Sequence, residues 1–115
     1  MTWLFEKIYP NFRWRIKGNP KVIYLTFDDG PIPEITPWVL ALLEQYNAKA
    51  TFFCVGDNIY KNPGVFKEII DAGHLVGNHT YHHLNGWETP PNTYLENFKA
   101  FETLHETKLF RPPYG

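Results

Sequence analysis

From Lys21 onward the chain alternates short unbroken apolar runs with stretches in which apolar residues recur every three or four positions. Val22-Ile23-Tyr24-Leu25-Thr26 is compact, β-branched and aromatic, the pattern of a buried strand. Thr36 followed by Pro37 predicts a helix start, an N-cap with proline in the first helical position. Val39, Leu42, Leu43 and Tyr46 then supply one apolar face, and Asn47 a stop. Ala50-Thr51-Phe52-Phe53-Cys54-Val55 predicts a second strand closed by Gly56. Asn62-Pro63 repeats the start signal, with Phe66, Ile69 and Ile70 on the helix face and Gly73 at its C-terminus. His74-Leu75-Val76-Gly77 is a short third strand. A last helix enters near Pro91-Asn92, carries Leu95, Phe98, Phe101 and Leu104, and gives way to a fourth strand, Lys108-Leu109-Phe110.

The order β-α-β-α-β-α-β, with crossovers of helix length, predicts an α/β fold built on a parallel sheet with right-handed connections. At 115 residues there is room for one domain, assigned to residues 21–115. Residues 1–20 are assigned as a separate cover, with Trp3, Phe5, Tyr9, Phe12 and Trp14 expected to pack against the sheet.

Charge narrows the partners. Eleven Lys and Arg against twelve Asp and Glu give a net charge of −1, so no basic field exists to hold a nucleic-acid backbone. The one cysteine, Cys54, excludes an internal disulfide framework and a cysteine-based zinc cage, and its place in a strand pattern predicts a buried thiol. The apolar runs are too short for a transmembrane segment. Met1–Lys7 lacks the pattern of a signal peptide, which places the chain in the cytoplasm by default unless an export segment preceded it. Aromatic residues reach 17%, which fits either a heavy core or stacking platforms for sugars.

Three polar clusters each follow a predicted strand. Asp28-Asp29-Gly30-Pro31 follows the first, Asn78-His79-Thr80-Tyr81-His82-His83 the third, and Arg111-Pro112-Pro113-Tyr114 the fourth. Parallel strands bring their C-terminal ends to one edge, where ligand sites of such folds lie, so the clusters are expected to converge. Taken singly, each has a plain reading: a turn, surface histidines, a polyproline-type loop. Together they suit a metal site. His79 and a second histidine, His82 or His83, can share one ion, and either Asp28 or Asp29 can complete the set, leaving a position for water. The other aspartate is then free to handle protons. A ferrous oxygenase uses a comparable set of two histidines and one carboxylate.

Thr26-Phe27-Asp28-Asp29-Gly30-Pro31, His79-Thr80-x-x-His83 and Arg111-Pro112-Pro113-Tyr114 resemble the first three ordered motifs of the NodB-like polysaccharide deacetylases, carbohydrate esterase family four. Ala50-Thr51-Phe52-Phe53 and Gly73-His74-x-x-Gly77-Asn78-His79 are also typical of that family. The resemblance implies an incomplete, distorted (β/α) barrel that removes acetyl groups from N-acetylglucosamine-type glycans, chitin-like or peptidoglycan. It implies Asp29, His79 and His83 as ligands of a divalent metal, usually zinc, and Asp28 as general base. Arg111 would orient Asp28, and the Tyr114 backbone N–H would stabilise the oxyanion. Thr80 would tie loops together, and His74 and His105 would be structural or surface residues.

Two later motifs of the family, an Asp-Trp and a Leu-x-His supplying the general acid, are not in this sequence. The chain is therefore expected to be the N-terminal part of a longer deacetylase, with its metal site assembled and its turnover weak or lost. The open edge of its sheet offers a route to self-association. The alternative expectation is a non-catalytic glycan-binding or assembly protein that keeps the fold.

Overall fold

In a computed structural model of the chain, residues 2–12, 18 and 21–115 are described. The elements in order are α1 (Thr2–Ile8), β1 (Leu25–Asp28), α2 (Ile35–Gln45), β2 (Ala50–Cys54), α3 (Gly56–Lys61), α4 (Pro63–Asp71), β3 (Leu75–Asn78) and α5 (Pro91–Glu102). The three strands form one parallel sheet in the order β1-β2-β3. Leu25 pairs with Ala50 and Asp28 with Phe53; Thr51 pairs with Leu75 and Cys54 with Asn78. The parallel α/β architecture expected from the sequence is present, as an open sheet rather than a closed barrel.

Two strand boundaries differ from expectation. The first strand begins at Leu25, not Val22, because β2, its one neighbour among the described residues, begins at Ala50, opposite Leu25. Val22, Ile23 and Tyr24 are consequently exposed rather than buried. The fourth segment contributes a single bridge, Asn78 to Phe110, where a strand was expected. Pro112 and Pro113 follow after Arg111, and without N–H groups they cannot extend a ladder.

Side chains alternate across β2. Ala50, Phe52 and Cys54 join Leu40, Leu43, Ile59, Ile69, Val76 and Phe101 in the core. Helices α2 to α5 each present apolar side chains to it, but the faces are narrower than the sequence pattern suggested. On α2 the buried residues are Thr36, Leu40 and Leu43, while Leu42 and Tyr46 are exposed. Thr36 lies inside that helix rather than capping it, and its hydroxyl accepts the Ile32 N–H at 2.8 Å. On α4 Ile69 is fully buried and Ile70 exposed; on α5 Phe101 is fully buried and Leu95 exposed. Pro63 opens α4 as expected, Gly73 follows it at φ 74°, and Asn47 follows α2 at φ 48°. Helix α3 was not anticipated; Gly56, expected to end a strand, begins it.

Burial pushes the Cys54 thiol up to about 12, so at neutral pH it is an inert core group. In the described part of the N-terminal cover, Phe5, Tyr9 and Phe12 are exposed rather than buried against the sheet. Trp14 and the Trp3 side chain lie outside what is described.

Among the histidines away from the polar edge, His105 meets Phe66 edge-on, and His74 is buried with Nδ1 accepting the Ala50 N–H at 3.2 Å. Burial, and then the charge of Lys49, hold the His74 pKa below its ordinary 6.5. The unfolded chain therefore takes up this proton before the folded one does. The stabilisation is complete above about 6.5 and is lost as pH falls towards the lowered folded value. His74→Gln, whose amide oxygen can also accept the Ala50 N–H, is expected to flatten the decline of melting temperature between roughly pH 7 and 5. Equal slopes in circular-dichroism melts of the two proteins would remove His74 as a cause.

Candidate metal centre

The site is assembled on the face of the sheet opposite the helical core. Phe27 turns towards the core and stacks on Phe52, centroids 5.2 Å apart. Alternation then turns Thr26 and Asp28 to the other face, where Asp28 pairs with Phe53 and Phe53 with Gly77. A Cβ on Gly77 would stand 2.4 Å from the Phe53 ring, so only glycine leaves room for that ring. The Arg111 guanidinium lies over the ring, its Cζ 4.2 Å from the centroid. From there Nη1 donates to Asp28 Oδ1 at 2.7 Å and to Thr26 Oγ1 at 3.0 Å. A residue beyond the third strand thus reaches across the sheet to the first.

The two loops beside this pair are held by hydrogen bonds rather than by repetitive structure. Asp29 sits at φ 69°, its carbonyl accepting from Asn58 Nδ2 at 2.7 Å, and Gly30 accepts the Val55 N–H at 2.9 Å. The Gly30–Pro31 peptide is cis. In the second loop Thr80 and His83 also have positive φ, 63° and 55°. Such conformations cost about 1–3 kcal/mol each and persist only when surrounding contacts over-determine them. Here the contacts are explicit. The first N–H groups of α3, on Gly56 and Asp57, donate to the carbonyls of Thr80 and Tyr81. The Tyr81 and His82 N–H groups both donate to Asn97 Oδ1 at 2.9 Å, and Thr80 N–H donates to Asn78 Oδ1 at 2.8 Å. Gly56 is required for this approach, since a Cβ there would stand 2.5 Å from the Tyr81 ring.

Asn78 joins the second and third clusters. Its side chain is fully buried and donates to Phe98 O and Glu102 Oε1 on α5, and its backbone carbonyl accepts the Arg111 N–H at 3.0 Å. Arg111 returns the link through its own carbonyl, which accepts from His79 Nδ1 at 2.6 Å. A carbonyl can only accept, so Nδ1 carries the proton and Nε2 presents a lone pair.

That lone pair faces Asp29. His79 Nε2 lies 3.3 Å and His83 Nε2 3.0 Å from Asp29 Oδ1, and the three ligand atoms fall within 4.8 Å of one another. Nitrogen lone pairs set against a carboxylate oxygen repel unless a cation or a proton lies between them. Ligand atoms bonded at ~2.1 Å to a tetrahedral ion are separated by roughly 3.4 Å, so the spacing suits a zinc-sized cation. The donor set, two imidazoles and one carboxylate, is that of an open catalytic site rather than a closed structural one.

The structure therefore brings Asp29, His79 and His83 into one cluster and sets Asp28 on Arg111 beside it. His82 stands apart from the ligand atoms, its Nδ1 bonded to Asn97 Nδ2 at 2.8 Å. The Tyr114 ring lies against His83, centroids 5.0 Å apart, and the Tyr114 N–H donates to no group among the described residues. Sequence reasoning gave no role to Thr26, Phe53, Asn58, Gly77, Asn78 or Asn97, which support the site without belonging to its reactive set. Thr26, Phe53, Gly77 and Asn78 were visible as parts of the stretches that carry the family resemblance; Asn58 and Asn97 had no signal.

Residues 15–115 match the polysaccharide deacetylase family. The chain is 46% identical over 107 residues to a peptidoglycan-N-acetylglucosamine deacetylase of Bacillus cereus, covering 89% of this chain and 50% of that protein. It is 43% identical over 101 residues to the peptidoglycan-N-acetylglucosamine deacetylase PgdA of Listeria monocytogenes, covering 83% of this chain and 22% of that protein. The structure of the peptidoglycan deacetylase PdaC from Bacillus subtilis superposes with a TM-score of 0.75 at 34% identity, covering 84% of this chain and 51% of that one. The chain spans about half the length of two of these relatives and about a fifth of the third.

Proposed function

The chain belongs to the polysaccharide deacetylase family, and from that premise we propose that it is a metal-dependent hydrolase releasing acetate from N-acetylglucosamine-type glycans, peptidoglycan or chitin-like. The observation that carries this reading is the Asp29–His79–His83 cluster with the Asp28–Arg111 pair beside it. Asp29, His79 and His83 would hold the cation, zinc by the chemistry of the donor set. A divalent cation there supplies Lewis acidity, polarising the acetamide carbonyl and making water a better nucleophile at neutral pH.

The chain's own groups do the rest. Arg111 engages Asp28 Oδ1 and leaves Oδ2 to take the proton from the attacking water, so Asp28 acts as general base. Asp29 would ligate the cation and Asp28 would move the proton, which divides the two adjacent carboxylates between two tasks. The Arg111 carbonyl fixes the His79 tautomer, so the same residue aims both a ligand and the base. The unengaged Tyr114 N–H is a donor for the oxyanion that develops on the acetamide oxygen, a contribution of about 3 kcal/mol in comparable sites.

The test is acetate release from N-acetylglucosamine pentamer and from peptidoglycan by the zinc-loaded protein. Asp28→Asn is expected to lower the rate by roughly 10²–10⁴-fold while zinc stays bound, as loss of a general base does. A rate within a few-fold of wild type removes Asp28 from this role. Glycan bound with no acetate released from either substrate favours the second reading, a non-catalytic glycan-binding protein.

A further inference from the structure

Arg111 holds Asp28 through a single nitrogen. Both hydrogens of Nη1 are in use, one on Asp28 Oδ1 at 2.7 Å and one on Thr26 Oγ1 at 3.0 Å. Nε and Nη2 have no hydrogen-bond partner among the described residues. An arginine that grips a carboxylate with two parallel N–H groups fixes its own plane; one that grips through one nitrogen can swing about the contact. Both side chains are more than a third exposed, so attraction between the charges alone holds them weakly. Such a pair needs a further restraint if Asp28 is to keep one orientation.

Phe53 is placed to supply it. The register sets Phe53 beside Asp28 on one side and Gly77 on the other, on the path by which Arg111 reaches from beyond β3 to β1. The guanidinium rests on the Phe53 ring, Cζ 4.2 Å from the centroid, where the negative face of the ring attracts the cation. The ring is closed in from below, since even a Cβ at Gly77 would stand 2.4 Å from one of its carbons. Thr26 lies two residues before Asp28 and so on the same face of β1, which brings its hydroxyl to the second Nη1 hydrogen. We propose that Phe53 and Thr26 are positioning residues for the proposed general base. The ring sets the plane of the guanidinium, the hydroxyl sets its rotation, and Asp28 is thereby held with Oδ1 engaged and Oδ2 left for the proton. This inference rests on the deacetylase reading and adds to it two residues that touch no reacting atom.

Filling the interior is the competing account of Phe53, which is 8% exposed. Steady-state acetate release from N-acetylglucosamine pentamer by the zinc-loaded protein separates the two. Phe53→Leu, which keeps apolar bulk and removes the ring, is expected to lower kcat about tenfold with KM changed less than about twofold. Added to Arg111→Ala, the same substitution is expected to lower kcat no further, because the ring acts only through the guanidinium. Thr26 is exposed, so Thr26→Val leaves the fold intact; it is expected to lower kcat several-fold, and Thr26→Ser, which keeps the hydroxyl, to restore it. Nuclear magnetic resonance reads the geometry without turnover. The Arg111 guanidinium protons are expected to be displaced upfield by the ring current and to return to the ordinary arginine range in Phe53→Leu. Losses from Phe53→Leu that are equal with and without Arg111 assign the ring to packing and overturn the inference, as do unshifted guanidinium protons or a Thr26→Val rate equal to wild type. Wild-type protein that releases no acetate overturns the deacetylase reading instead, and with it the role given to the two residues, whatever the resonances show.

Discussion

Asp29→Ala and His79→Ala are each expected to take zinc binding from about one ion per chain to none, as read by calorimetric titration or metal analysis after desalting. The expectation follows from how few groups hold the site. Among the described residues three protein atoms within 4.8 Å of one another make up the ligand set, so the loss of one leaves two, too few for tight retention. Zinc should raise the melting temperature of the wild-type protein by mass action and leave that of either variant unmoved. Arg111→Ala makes an informative contrast. The group that orients His79 is the Arg111 backbone carbonyl, which survives the substitution, so zinc should stay bound while Asp28 loses its partner. Unchanged stoichiometry in both Asp29→Ala and His79→Ala would sink the ligand assignment.

Gly77→Ala is expected to destabilise the fold by about 1–3 kcal/mol, the range for overpacking a filled interior. The added Cβ would lie 2.4 and 2.5 Å from two carbons of the Phe53 ring and 3.3 Å from the Leu109 Cβ, so neither side is open. Phe53 cannot give way alone, because the Arg111 guanidinium rests on its ring. The strain therefore travels to Asp28 and the proposed base. Urea denaturation should show the loss, and Gly77→Ala combined with Phe53→Leu should regain part of it by vacating ring volume. A single-variant change below about 0.5 kcal/mol would show that the close approach at Gly77 is not limiting.

The residues that the structure brings together were legible as clusters because they are concentrated, although which aspartate and which histidine would face an ion rested on the family resemblance. Asp28, Asp29, His79, His83 and Arg111 lie within three short clusters, each directly after a strand, and parallel topology alone predicts their convergence. The parallel sheet was legible for a related reason, since β2 and β3 are compact apolar runs separated by a stretch of helix length. The parts that escaped depend on pairing across the chain. Whether Val22–Tyr24 continues a strand depends on a neighbour that begins at Ala50, and no local pattern reports that. Whether Lys108–Phe110 forms a strand depends on prolines two residues further on. Helix α3 is six residues long with a single buried large apolar side chain, Ile59, too short for a period to emerge. Asn97 was silent because an asparagine that holds a loop looks in sequence like one in a turn, and Asn78 stood out only as a neighbour of His79.

The Asn78–Arg111–His79 linkage bears on how the protein can be recombined. His79, the proposed ligand, is aimed by a carbonyl 32 residues further along, and its loop is held by Asn97 on α5. Residues 78–83 and 97–111 are therefore one inheritable module, although they are separate in sequence. A chimera that imports the histidine loop from a relative but keeps its own α5 and arginine segment would receive the ligands without the groups that aim them. Crossover points placed before Leu75 and after Tyr114 would transfer the whole device intact.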